Sequence, residues 1–163
     1  MRKYYNHILY AFFAIVCLGM LGCESSDDGL TIMNDELTTL KEVSFEGIPQ
    51  ASPNQIRLTQ EMQDEPAVNI SWNKVRFPIA EAPVEYTVQF DVPSDTLGEN
   101  AWNNASNIFV GNDVLSKEIM VKNLNTMVKD FGLEADVEGT IVYRVQAYVD
   151  RAVYSKTGTF SVT

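Results

Sequence analysis

The fold turns on Ile141-Val142-Tyr143-Arg144-Val145-Gln146-Ala147-Tyr148-Val149. Ile141, Tyr143, Val145, Ala147 and Val149 hold every second position, with Val142, Arg144, Gln146 and Tyr148 between them. Successive side chains of a strand point to opposite faces, so this alternation predicts a strand with one buried face. A helix would place its apolar residues three and four apart. The same period appears upstream. Val68, Ile70 and Trp72 alternate with Asn69, Ser71 and Asn73, and Val84, Tyr86, Val88 and Phe90 alternate with Glu85, Thr87, Gln89 and Asp91. Shorter runs stand at Leu40–Phe45, Gln55–Thr59, Ile108–Val110 and Glu118–Val121, and the chain ends on Val153–Val162.

Turn residues separate these runs: Gly47-Ile48-Pro49, Pro53-Asn54, Pro66, Pro78, Pro83, Pro93, Gly98, Gly111-Asn112, Gly132 and Gly139. Little more than Asp150-Arg151-Ala152 divides the last two runs, a hairpin length that predicts antiparallel pairing there. Asn123–Leu133 has a different period. Leu124, Met127, Val128 and Phe131 fall at i, i+3, i+4 and i+7, one face of a helix, and Gly132 follows as its stop. About seven short strands, a buried tryptophan in an early one and a single helix predict an all-β fold. The expected architecture is an immunoglobulin-like or fibronectin type III-like antiparallel β-sandwich, with its one short helix at the E–F corner. An up-and-down barrel is the alternative.

The 163 residues carry 12 Lys and Arg against 22 Asp and Glu, a formal net charge of −10. Such a balance argues against a site that works by neutralising nucleic-acid phosphates, so no nucleic-acid partner is expected. The sole histidine is His7 and the cysteines are Cys17 and Cys23, so nothing beyond residue 23 supplies imidazole or thiol. A Ser-His-Asp triad, a Cys-His dyad and a His/Cys zinc site therefore lie outside the reach of the mature chain. Glycine loops of the GxxxxGK[ST] or GxGxxG form are absent too. Carboxylate pairs remain available for glycoside hydrolysis, but no two of them stand out, and the chain reads as non-catalytic with no cofactor.

The N-terminus has the order of a secretory leader. Arg2 and Lys3 precede the apolar run Ile8–Leu21, which closes on Gly22-Cys23. Fourteen residues fall short of the ~20 that a helix needs to cross a bilayer, which favours cleavage over a permanent span. A small residue before a cysteine at this point resembles the lipobox of bacterial lipoproteins, although Met20 and Leu21 stand where leucine and a small residue are preferred. The resemblance implies a diacylglyceryl group on Cys23, and two or three acyl chains suffice for stable attachment. The stretch Glu24-Ser25-Ser26-Asp27-Asp28-Gly29 resembles the acidic tag that carries some lipoproteins to the outer face of the outer membrane, and its composition also suits a solvated linker. The expected organisation is a leader over 1–22, an acidic tether over 23–37 and a sandwich over 38–163. Beyond Gly22 there are 10 basic and 22 acidic residues, net −12, so attachment should depend on the lipid rather than on attraction to anionic headgroups.

Several of these motifs together resemble the N-terminal domain of SusE-type outer-membrane lipoproteins. They are the lipoprotein leader and acidic tether, Ile70-Ser71-Trp72, Val84-Glu85-Tyr86-Thr87-Val88-Gln89-Phe90-Asp91, Lys122-Asn123-Leu124-Asn125 leading a short helix to Gly132-Leu133, and Tyr143-Arg144-Val145-Gln146-Ala147. The resemblance implies a surface lipoprotein that works beside a glycan importer of the starch-utilisation type. Its implied partners are the outer membrane, proteins of the uptake complex, and polysaccharide. In larger relatives, carbohydrate-binding modules follow the N-terminal domain and hold the glycan, whereas this sequence ends at Thr163. Two roles therefore stand side by side, a scaffold or spacer and a self-sufficient glycan binder.

For the second role the loop Pro93–Asn107 supplies the candidates. Trp102 sits there among Asn100, Asn103, Asn104 and Asn107, and an indole face with nearby amides suits a sugar ring and its hydroxyls. Trp102, Asn103 and Asn104 are the candidate glycan-binding residues. The competing expectation is that Trp102 folds back over the open edge of the sandwich. Tyr148 and Tyr154 are expected as cross-strand partners on an exposed face. Trp72 is expected in the core. Asp91, Asp95 and Glu99 repeat at spacing four, but without the EF-hand pattern they read as solvated loop acids, and no metal is expected.

Overall fold

A computed structural model describes residues 42–163 apart from Ala80. The leader, Cys23 and the tether lie outside the described residues, as do Leu40 and Lys41 of the first expected strand. Glu42–Thr163 is one compact unit.

Its elements run β1 (Gln50–Ser52), β2 (Gln55–Ile56), β3 (Pro66–Ser71), β4 (Glu85–Asp91), β5 (Ser106–Asn112), β6 (Ser116–Met120), α1 (Val121–Asp130), β7 (Gly139–Tyr148), β8 (Ala152–Tyr154) and β9 (Gly158–Val162), with 3-10 turns at Gln60–Met62 and Pro93–Thr96. A small sheet has the order β1-β3-β6. A larger one has the order β2-β9-β7-β4-β5, and β8 continues along β7 beside β9. The two pack as a β-sandwich of the immunoglobulin-like kind, as the alternation predicts.

The inward stripes meet between the sheets. Val68, Ile70 and Ile119 of the small sheet are buried together with Tyr86, Val88, Phe90, Ile141, Tyr143, Val145, Phe160 and Val162 of the large one. Trp72 lies against Tyr86, centroids 5.6 Å apart, and is 8% exposed, as expected for a core residue. Among the described residues the buried apolar side chains of Ile56–Val162 form one continuous cluster between the two sheets.

Helix α1 joins the small sheet to the large one. Leu124, Met127 and Val128 are buried along the predicted face, and Val121 starts the helix two residues before the expected Asn123. Its N-terminus is pinned where the Val121 and Lys122 N–H groups donate to the carbonyls of Glu65 and Gln63. At the other end Gly132, at φ +73°, donates to the Lys129 carbonyl, and Leu133 donates to that of Val128. This pair satisfies two orphan carbonyls and needs the left-handed conformation that glycine adopts freely.

Four details depart from the sequence reading. No strand forms over residues 42–45; Val43 and Phe45 instead pack on the core without a ladder, and the first strand is Gln50–Ser52, which shows no alternation. The Gln55–Thr59 run shrinks to Gln55–Ile56, and it pairs parallel to β9, so the sandwich is not wholly antiparallel. Pro66 opens β3 instead of breaking it, since the first residue of a strand can forgo its N–H. The C-terminal run Val153–Val162 is split. Ser155 is buried, its N–H donates to Val145 O, and its Oγ accepts from Val145 N–H at 2.9 Å while donating to Lys156 O at 2.7 Å. A side chain thereby takes over ladder duty from the backbone, and the strand kinks into β8 and β9.

Candidate functional site

The outward face of the large sheet receives Trp102, one of the three candidate glycan-binding residues. Cross-strand register sets Arg144 beside Gln89 and Gln89 beside Asn107, and in the next row Tyr154 beside Gln146, Gln146 beside Thr87, and Thr87 beside Phe109. The polar positions of the alternating strands therefore form one surface. A chain of hydrogen bonds crosses it. Arg144 Nε donates to Gln89 Oε1 at 2.7 Å, Gln89 Nε2 donates to Asn107 Oδ1 at 2.6 Å, and Asn107 Nδ2 donates to Ala105 O at 3.1 Å.

The loop Pro93–Ala105 folds over one end of this face. The Pro93–Thr96 turn packs on β7, and the cross-strand pair Asp91 and Val142 beneath is buried although both residues lie on the outward side. Asp91 is fully buried. Its Oδ1 accepts from the Val92 N–H at 2.8 Å, while Oδ2 has no partner among the described residues. Burial pushes its carboxyl above the ordinary range, with the Asp95 charge adding to the rise and the Val92 N–H and Arg144 opposing it.

Trp102 is carried by this loop onto Arg144. The guanidinium carbon lies 4.2 Å from the centroid of the indole and also 4.2 Å from that of Tyr154, so the cation is clasped between two rings. Each such contact stabilises by ~0.5–2 kcal/mol depending on desolvation. The backbone of Trp102 takes φ +67°, a left-handed conformation that costs a bulky residue of order 1–3 kcal/mol. Its N–H donates to Asp95 O at 2.8 Å. Burial lowers the pKa of Arg144, opposed by Tyr154 and Asp91.

The other candidates disperse. Asn104 donates to Asp95 Oδ2 at 3.2 Å and Asn103 to Asn100 Oδ1 at 3.4 Å, so both amides serve the loop that carries Trp102. Among the described residues no three His, Cys, Asp or Glu converge on a point where a metal would sit. Tyr148 and Tyr154 stand exposed on the sheet face as expected, but they are not direct cross-strand partners: the register sets Tyr148 beside Ala152 and Tyr154 beside Gln146. Asn107 was already named beside Trp102 in the sequence, and the missed part of its surroundings was Arg144 and Gln89. Their signal was present as polar residues at the outward positions of two long alternating strands, but only the register brings them into one row. A groove elsewhere, of about 510 Å³ between β5, β6 and α1, is lined by Ile108, Ile119, Met120 and Met127 with no aromatic ring.

Among curated proteins no match is found. A family model does match: that of the SusE outer membrane protein, over residues 34–146, from ahead of the sandwich through the helical corner to Gln146 in β7. That span is well over half of the 163 residues, includes Arg144, Gln89 and Trp102, and agrees with the motifs in the strands and corner, so the chain belongs to the SusE outer membrane protein family.

Proposed function

We propose that this outer membrane protein is a non-catalytic, lipid-anchored accessory of a polysaccharide-uptake system, its sandwich serving as a scaffold or spacer on the outer face of the membrane. The observation that carries this reading is the engagement of Trp102. One face of the indole is already occupied by Arg144, and the flat sheet surface around it offers a sugar little contact area. Among the described residues β5 and β2 end the large sheet, and these outer strands supply surfaces on which proteins of an uptake complex can dock. The leader 1–22, the lipid on Cys23 and the 23–37 tether hold the domain away from the bilayer in this reading. Its test is affinity purification of the lipidated protein from cross-linked cells grown on a polysaccharide. Recovery of an outer-membrane importer with wild type, lost when residues 42–163 are removed behind the same leader and tether, supports a scaffold. Equal recovery of the importer with both would overturn it.

A second reading has an observation of its own. Trp102, Tyr154 and the amides of Gln89 and Asn107 share one exposed face, a combination that suits weak glycan binding. Calorimetric titration of the mature chain with starch, dextrin and other polysaccharides tests it. A Kd below about 1 mM that is lost in Trp102→Ala establishes this reading.

A further inference from the structure

Arg144 is the cation of the described face that is clasped by aromatic rings, and among the described residues no acid lies at salt-bridge distance from it, although the charge of Asp91 acts on it from further off. The ion pairs among the described residues are Lys74 with Asp113, Lys122 with Asp64 and Arg151 with Asp150, and none includes Arg144. A guanidinium has five N–H donors. Among the described residues only Nε is spent, on Gln89, and that bond fixes the plane of the group. The two Nη atoms form the fork that matches a carboxylate with two parallel bonds. A half-buried cation with no acid at salt-bridge distance among the described residues is costly in a chain that carries 22 acids, and sequence changes that pair or remove it are simple. The loop instead accepts a left-handed tryptophan in order to cover it. Strain of this kind concentrates where a ligand is held.

We infer that the Trp102–Arg144–Tyr154 clasp is a binding site for a carboxylate-bearing sugar, a uronic acid unit of an acidic glycan. Arg144 Nη atoms take the carboxylate, the outer parts of the Trp102 and Tyr154 rings meet the sugar's C–H faces, and the amides of Gln89, Asn107 and Gln146 stand along the same surface to meet hydroxyls. This rests on the second reading above and narrows it: neutral glucans lack the group that Arg144 recognises. A site one sugar wide gives weak affinity, which is compatible with a domain that is mainly a scaffold. The net negative charge repels long polyanions, but at physiological salt the repulsion is screened beyond ~8 Å, so short oligomers are the suitable probe.

The test uses the soluble mature chain from Glu24, titrated with trimeric galacturonate and with the methyl ester of the same trimer. The ester keeps ring, linkage and hydroxyls and deletes the charge. The expected result is a Kd near 1 mM for the acid and at least about tenfold weaker binding of the ester. Arg144→Gln should weaken the acid by a similar factor, with Arg144→Lys between the two, because an ammonium cannot make the fork. If Arg144→Gln fails to fold, the comparison of acid and ester on the wild-type chain still decides. Equal binding of acid and ester overturns the uronate assignment while leaving a glycan site at Trp102. Binding of a glutamate-rich peptide as tight as that of the acid overturns it in favour of carboxylates in general. No binding of any sugar removes the second reading along with the inference.

Discussion

The phenol of Tyr143 donates to the carbonyl of Pro49 at 2.9 Å, fastening the middle of β7 in the large sheet to the buried residue that leads into β1 of the small one. Its cross-strand neighbour is Gly158, and a Cβ built there would run into the Tyr143 Cζ and Oη atoms. The ring cannot swing away without giving up the Pro49 bond. Gly158→Ala should therefore cost ~2–3 kcal/mol through overpacking, read from the urea midpoint at constant slope. Tyr143→Phe should cost ~1–3 kcal/mol by orphaning the Pro49 carbonyl. In Tyr143→Phe the Gly158→Ala penalty should fall in part, because the hydroxyl and its Pro49 tether are gone while Cζ remains to be displaced. Equal penalties in the two backgrounds would show that neither the hydroxyl nor the Pro49 bond sets the cost.

Trp72 tests the register of the small sheet. It follows β3 directly, its N–H bonds the Leu115 carbonyl at 3.0 Å, and its ring is buried on Tyr86. Trp72→Ala should cost ~3–5 kcal/mol, as for other buried aromatics. Trp72→Phe should cost far less, since it also deletes an indole N–H that has no partner among the described residues. A loss under ~1 kcal/mol for the alanine variant would place Trp72 on the solvent side, because a slip of one residue turns a strand over.

How much of this was legible beforehand depended on whether periodicity or pairing decided the element. The stripes of β3, β4 and β7 and the apolar face of α1 are local patterns, and the core follows from them residue by residue: Val88, Tyr143 and Leu124 are all buried. Edge strands were not legible in the same way. Gln50–Ser52 is a strand because β3 pairs with it, and Val43 to Phe45 is none because nothing does, although its residues look better suited. The break at Ser155 depends on one hydroxyl meeting one backbone N–H across the sheet. For the candidate site the limit was similar. Trp102 could be picked out by its loop, yet Arg144 and Tyr154 join it only through a register between strands and a left-handed turn, neither of which leaves a local pattern.

In the proposed reading, attachment to the membrane rests on one atom. Gly22-Cys23 ends an apolar run too short to span, and the mature surface is net negative, so the thiol of Cys23 is the anchor in the proposed reading. Cys23→Ala should abolish incorporation of a palmitate analogue and release the protein from the outer-membrane fraction. Labelling that persists in the variant would refute lipidation at this residue. With Cys23 intact, protease added to whole cells should remove the sandwich, whereas full protection would place it on the periplasmic side.

Asp91 links the site to stability. Buried, with one carboxylate oxygen unpartnered among the described residues, it holds its proton more tightly in the folded chain than in the unfolded one. The sign follows from linkage: a group whose folded pKa is raised favours the folded state below its unfolded pKa. That advantage is lost as pH climbs through the folded value. Above its folded pKa Asp91 is therefore a charge held at a cost. Asp91→Asn keeps an oxygen to accept the Val92 N–H and removes the charge, so it should stabilise the domain by about 1 kcal/mol where the pH exceeds that pKa. The difference from wild type should shrink as the pH is lowered through the folded pKa of Asp91. Opposing this, Arg144 loses a nearby favourable charge, a smaller effect because the guanidinium is partly solvated. Thermal midpoints of both proteins between pH 3 and 8 give the comparison. A variant less stable than wild type, with the gap widening as pH rises, would mean that the Asp91 carboxylate is paired in solution and that its charge supports Arg144 rather than straining the fold.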